Sequence, residues 1–261
     1  MKTLRQVVTA TSDGALAATE LEKYVVTVQR KTGLRADAPI PKQNKVSVTV
    51  EAHEAAQSGA LFAEEMRKQL DAVFARMERH LLLKLYLDSR PISAELEHFI
   101  TSLAAVSDKL ALEVRDRHAE ETFAPCVEVC LADGTPTGLA FHGVPGGHEF
   151  TSFVLGLYNA AGPGQALDDI IKQQIVSIKE TIDLKILVTL SCTMCPDLVM
   201  AAQRIAAINP NVSAHVYDIH HFEELKNQYN FMSVPCMVVN DNQVFFGKKN
   251  VQQILQLLDL T

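Results

Sequence analysis

The chain has 261 residues, with 24 basic and 31 acidic side chains and a formal net charge of −7. That balance leaves no basic footprint for nucleic acid, no apolar run approaches the ~20 residues of a membrane span, and Met1-Lys2-Thr3-Leu4-Arg5 lacks the apolar core of a signal peptide. Five cysteines without a disulfide framework fit a reducing, cytoplasmic setting, and the length suffices for two folds of ordinary size.

Residues 1–30 read as a helix rich in Ala and Val, interrupted at Asp13-Gly14. Arg5, Gln6, Thr9, Ala10, Asp13, Gly14, Ala17 and Ala18 form a pattern that resembles the last helix of the flavin domain in low-molecular-weight thioredoxin reductases. The resemblance implies the C-terminal part of a longer flavoprotein, with FAD and NAD(P)H bound by an upstream module. No Gly-x-Gly-x-x-Gly occurs, so the chain itself is expected to bind neither cofactor. The apolar face of this helix would then be disordered, packed back on the body, or buried in a homodimer. Residues 31–52 read as a linker, punctuated by Gly33, Pro39 and Pro41 and solvated by Lys31, Arg35 and Lys42. Within it, Val46-Ser47-Val48-Thr49-Val50 alternates like a short strand.

Residues 53–164 form the next unit. Phe62, Met66, Leu70, Val73, Phe74, Met77 and Leu81 recur at helical spacing, and Leu83, Leu85 and Leu87 alternate as a strand. A helix follows Asp88-Ser89-Arg90-Pro91, with Ser93 as its expected cap and Leu96, Phe99, Ile100 and Leu103 on one face. Leu110, Leu112 and Val114 mark a strand. Pro125-Cys126-Val127-Glu128-Val129 opens another, Asp133-Gly134 turns, Leu139-Ala140-Phe141 returns, and a helix from His148 to Tyr158 closes the unit.

Residues 165–261 repeat that order. A helix from about Gln165 to Lys179 precedes a strand from Leu184 to Leu190, and then Cys192-Thr193-Met194-Cys195 hands over to a helix expected from Asp197 to Ile208. A strand from Val212 to Ile219, a helix from Phe222 to Tyr229, Val234-Pro235, two short strands separated by Asn240-Asp241-Asn242, and a final helix from Val251 to Leu258 complete it. Cys192 falls at or just before a helix N-terminus, where unpaired N–H groups and the helix dipole favour a thiolate. Cys195 is placed to resolve a mixed disulfide on Cys192. Pro196 suits the first turn, where its missing N–H costs nothing. A lone Cys-x-x-Cys also fits half a zinc site, but the remaining candidates (Cys126, Cys130, Cys236, His220 and His221) are scattered. Cys126 and Cys130, four apart on a strand, lie roughly 13 Å apart, too far to bridge.

This order resembles the thioredoxin/glutaredoxin family, in which Pro235 would be the cis-proline beside the dithiol. Set against it, Pro125-Cys126-Val127 answers Pro235-Cys236-Met237, and Asp88-Ser89-Arg90-Pro91 stands in the slot of the dithiol. The expected fold class is therefore α/β, two fused thioredoxin-like folds, the first without redox cysteines, behind an N-terminal helical extension. Gly147-His148-Glu149-Phe150-Thr151-Ser152 with Leu155, Leu190-Ser191-Cys192 with Cys195-Pro196-Asp197, Asn209-Pro210, and Ser233-Val234-Pro235 with Val239-Asn240 narrow the likeness. Residues from about 55 onward resemble the N-terminal domain of the flavoprotein component of bacterial alkyl hydroperoxide reductase. That resemblance implies Cys192 as attacking thiol, Cys195 as its partner, and Glu149 as an acid that assists proton transfer. It implies electrons arriving from a flavoprotein and leaving to a peroxiredoxin. The order departs from that family, which places this domain ahead of its flavin part, whereas reductase-like residues precede it here. Two other functions stay open: a free-standing protein disulfide oxidoreductase or isomerase, and a non-catalytic interaction module with incidental cysteines. Glu149 also suits a plain helix start, and Cys236 a plain buried position.

Overall fold

Apolar side chains at every second position set the strands, because successive residues of a strand face opposite sides of the sheet. A computed structural model of the protein describes residues 61–116 and 124–258. The expected N-terminal helix over 1–30 and the linker over 31–52, with its strand, lie outside the described residues. The described elements are α1 (Glu64–Phe74), β1 (Leu81–Leu87), α2 (Pro91–Ala104), β2 (Leu110–Asp116), β3 (Cys126–Leu131), β4 (Pro136–His142), α3 (Glu149–Ala161), α4 (Asp169–Ser177), β5 (Ile182–Val188), α5 (Cys195–Ala206), β6 (Val212–Asp218), α6 (Glu223–Tyr229), β7 (Cys236–Val239), β8 (Gln243–Phe246) and α7 (Val251–Leu258).

The eight strands form one sheet in the order β2-β1-β3-β4-β6-β5-β7-β8. That order is one four-strand pattern used twice, β2-β1-β3-β4 and β6-β5-β7-β8. The halves join where β4 pairs parallel with β6, from Leu139 opposite Ala214 to His142 opposite Tyr217. Inside each half the first two strands are parallel and the others antiparallel. The repeat extends to single hydrogen bonds. Gly143 N–H donates to the carbonyl of Pro125 at 2.9 Å, and Gly247 N–H donates to that of Pro235 at 2.9 Å. Both prolines follow cis peptide bonds.

One sheet face carries Leu83, Leu85, Val127, Phe141, Val216, Ile186 and Met237, all buried in one core with Phe74 of α1, Ile100 of α2, Phe153 of α3, Ile175 of α4, Leu198 of α5 and Leu255 of α7. Each such side chain contributes roughly 1.5–3 kcal/mol relative to exposure. The opposite face of the second half meets α6, through Leu187, Tyr217, Cys236 and Val238 against Phe222 and Leu225. The core helices α3 and α5 approach closely, since a methyl added at Gly156 would stand 2.6 Å from Oε1 of Gln203.

Several element boundaries differ from expectation. The helical spacing from Phe62 runs on to Leu81, but α1 ends at Phe74 and Leu81 opens β1, because the first strand's inward row happens to continue the helix period. Ser93 does not cap α2. Pro91 starts that helix, and the Ser93 hydroxyl instead donates to Oδ1 of Asp88 at 2.7 Å and accepts the Asp88 N–H at 3.0 Å. Helix α4 begins later than Gln165, where Asp168 caps it by accepting the N–H of Ile170 at 2.8 Å. Helix α5 begins at Cys195, two residues before the expected Asp197.

Candidate active site

Strand directions collect the chemistry. β1, β2, β4, β5 and β6 run the same way, and β3 and β7 run against them. One edge of the sheet therefore holds the loops after the parallel strands and the starts of β3 and β7. That edge carries Asp88 to Arg90, cis-Pro125, Gly143 to Glu149, the Cys192–Cys195 loop, Ile219 to Phe222, and cis-Pro235. It is also the carboxyl edge at which open α/β sheets place their ligands.

Cys192 and Cys195 form a disulfide, with Cα atoms 5.5 Å apart. Cys192 lies in the loop before α5, half-buried, while Cys195 is the first residue of the helix and fully buried. Pro196 occupies the second helical position. Of the two cysteines, Cys192 alone keeps solvent exposure. The N–H of Cys192 donates to the carbonyl of Thr189 at 3.0 Å and shapes the loop. Pro235 is cis and buried just before β7, whose Cys236 pairs with Leu187 of β5, one residue before that strand ends.

Glu149 opens α3 and is completely buried. Burial pushes its carboxyl up to about 7, partly opposed by the Ser152 hydroxyl, which donates to Oε2. Its Oε1 has no hydrogen-bond partner among the described residues. Two backbone contacts tie this helix start to the dithiol loop. His148 N–H donates to the carbonyl of Leu190 at 3.0 Å. Gly147, at φ +55°, leaves no room for a side chain, since a Cβ there would sit 2.6 Å from the same oxygen. The first half thus reaches the loop two residues before Cys192.

The slot that corresponds to the dithiol in the first half holds Arg90. Its guanidinium pairs with Asp88 at 2.9 Å, donates to the carbonyls of His221 at 2.7 Å and of Ala124, and lies 5.2 Å from the ring centroid of Phe222. In place of a redox pair, this slot holds a clamp between the halves. Sequence reasoning assigned Arg90 no such contact, nor Ser152 its bond to Glu149. The second had a signal in the three-residue spacing on one helix; the first, spanning 131 residues to His221, had none.

The remaining cysteines are buried and free. Burial raises the thiols of Cys126 to about 12 and of Cys130 and Cys236 to about 11. His220 and His221 sit beside buried Asp218, with Nδ1 of His220 3.0 Å from its Oδ1. Among the described residues no cluster of three or more His, Cys, Asp or Glu could hold a metal, and no helix is long and apolar enough to cross a membrane.

A family model described as "Thioredoxin domain" matches residues 182–259. Over 194 residues, 74% of this chain, the sequence is 30% identical to the F component of the alkyl hydroperoxide reductase of Pseudomonas aeruginosa, and covers 36% of that protein. The chain thus spans little more than a third of the length of the curated relatives it matches. A solved structure of the same component, AhpF, from Enterococcus faecalis is 38% identical with a TM-score of 0.72, over 76% of this chain and 99% of that one. A protein disulfide oxidoreductase from Aeropyrum pernix shares the fold at 20% identity, with a TM-score of 0.66 over 75% of this chain and 91% of that one.

Proposed function

This chain belongs to the AhpF family of alkyl hydroperoxide reductase components, matching its tandem thioredoxin-fold region, and from that premise we propose that it relays electron pairs from an NAD(P)H-dependent flavoprotein module to the disulfide of a peroxiredoxin. As a thiol–disulfide oxidoreductase it works through Cys192 and Cys195. The observation that carries the assignment of roles is the asymmetry of the pair: Cys192 is partly exposed and Cys195 is fully buried at the first position of α5.

The reduced chain holds two thiols. The thiolate of Cys192 attacks one sulfur of the acceptor disulfide, and the other acceptor sulfur leaves as a thiolate. Cys195, once deprotonated, then attacks Sγ of Cys192 and releases the second acceptor thiolate. Two electrons and two protons pass to the acceptor, and Cys192–Cys195 closes as the disulfide. A dithiol of the flavoprotein module would restore Cys192 and Cys195 to thiols by the reverse exchange, closing to a disulfide itself. The same polypeptide is the natural source of that module, given the reductase-like residues 5–18.

Glu149 is the proton-handling group in this scheme. A carboxyl held near 7 exists in both protonation states at neutral pH and can take the proton of Cys195 and return it. Its backbone neighbours bind the loop that presents the dithiol. Cis-Pro235 stands at the same edge of the sheet, just before β7, the strand that pairs with β5.

The experiment is a trap. A Cys195→Ser chain mixed with an oxidised peroxiredoxin stops at the mixed disulfide, and peptide mapping locates it on Cys192. An adduct on Cys126, Cys130 or Cys236, or a Cys192→Ser chain that still passes electrons, overturns the assignment. A free-standing oxidoreductase or isomerase is the other reading of the same dithiol, and loss of reduction when the flavoprotein module is withheld separates the two.

A further inference from the structure

A second feature lies on the flank of the helix that carries the dithiol. A groove runs between α5 and the segment that leads into α7, lined among others by Asp197, Met200, Arg204, Lys248, Lys249 and Val251. Asp197, Met200 and Arg204 recur at three and four residues, so they share one face of α5, starting two residues after Cys195. Three cations face one carboxylate there, in a chain whose net charge is −7.

The cations are unevenly satisfied. Lys248 pairs with Asp197 at 3.5 Å, at an exposed position, and Lys249 donates to the carbonyl of Phe246 at 2.7 Å. Arg204 is half-buried and has no carboxylate partner among the described residues. Its terminal nitrogens donate to Oδ1 of Asn159 at 3.3 Å and to the carbonyl of Gln165, both neutral acceptors, and its Nε is buried without a partner among the described residues. A guanidinium withdrawn from water and left without a counter-charge is costly. Burial correspondingly lowers its affinity for the proton. An anion entering the groove would meet that charge, and could draw Lys248 from its exposed pairing.

Resting on the relay reading above, we propose that this groove binds an acidic side chain of the protein acceptor, holding a carboxylate beside α5 while the acceptor's disulfide lies over Cys192. The site gives the dithiol a preference among disulfides: an acceptor with Asp or Glu near its disulfide gains local attraction from an otherwise anionic surface, which opposes anionic partners at longer range.

The test uses the full chain, pre-reduced, and two disulfide-bonded peptides that differ only in Glu against Gln at the residues flanking the disulfide. At low ionic strength the disulfide of the Glu peptide is reduced about 10-fold faster than that of the Gln peptide, the low end of the range for local charge attraction. About 0.5 M NaCl brings the two rates together, as screening of exposed charges requires, and inorganic phosphate slows the Glu peptide selectively. In a Lys248→Gln/Lys249→Gln chain the Glu-to-Gln rate ratio falls towards one. Arg204→Gln does the same, and the lysine variant carries the test if that chain folds poorly. Equal reduction of both peptides by the unaltered chain, or a ratio that survives Lys248→Gln/Lys249→Gln, overturns the groove while leaving the relay intact. Reduction of neither peptide overturns the dithiol reading beneath it.

Discussion

Replacing Glu149 with Gln isolates the buried carboxyl that opens α3 beside the dithiol loop. In the folded chain it keeps its proton up to about 7; unfolded, it releases it near the ordinary 4.5. Below about 4.5 both states are protonated and the group contributes nothing to pH dependence. Between 4.5 and 7 the unfolded state binds fewer protons, so stability falls as pH rises. The difference of about 2.5 pH units corresponds to about 3 kcal/mol at 1.36 kcal/mol per unit, fully expressed above 7. The Gln variant has no such proton. Urea midpoints for both chains in the disulfide form, from about pH 4.5 to 8, should therefore diverge, the original chain losing about 3 kcal/mol relative to the variant and levelling above 7. His215, whose affinity for the proton is lowered by burial, destabilises both chains equally as pH falls and cancels in the difference. Parallel profiles would refute a perturbed carboxyl at this position. The same proton predicts a rate effect, with the variant losing the inflection near 7 in acceptor reduction.

Two other outcomes follow from the geometry. Gly147→Val forces a β-branched residue into φ +55° and sets a Cβ against the Leu190 carbonyl, at a cost of roughly 1–3 kcal/mol; it should also change the alkylation rate of Cys192, and a destabilised chain with unaltered Cys192 would deny the link between the halves. After reduction, iodoacetamide at about pH 7 should label Cys192 first, while Cys126, Cys130 and Cys236, with thiols at about 11 to 12, stay unlabelled until the chain unfolds. Mass spectrometry of timed samples reads this directly.

Much of the fold is legible in the residues alone. The alternation of Leu83, Leu85 and Leu87, and of Leu184, Ile186 and Val188, marks strands because one face is buried. The match of Pro125-Cys126 to Pro235-Cys236 exposes the repeat, and the structure gives the two prolines the same peptide isomer and the same glycine partner. Local rules fail where two of them compete. Pro91 fixes a helix start that Ser93 seemed to claim, and Leu81 fits both a helical and a strand period. The union of both halves in one sheet is hidden, because the β4–β6 pairing joins strands about seventy residues apart and depends on which edges remain unpaired. The Arg90 clamp and the groove beside α5 are hidden for the same reason. Each is assembled from side chains whose sequence neighbours say nothing about their partners in space.

The reduction potential of Cys192–Cys195 tests the central claim most directly. The chain is equilibrated with thiol/disulfide buffers, free thiols are trapped, and the fraction reduced is fitted to a two-electron transition. A relay fed by a nicotinamide-dependent flavoprotein predicts a value near that of thioredoxin, roughly −270 mV. A value of roughly −120 to −180 mV, the range of oxidases and isomerases, would contradict it.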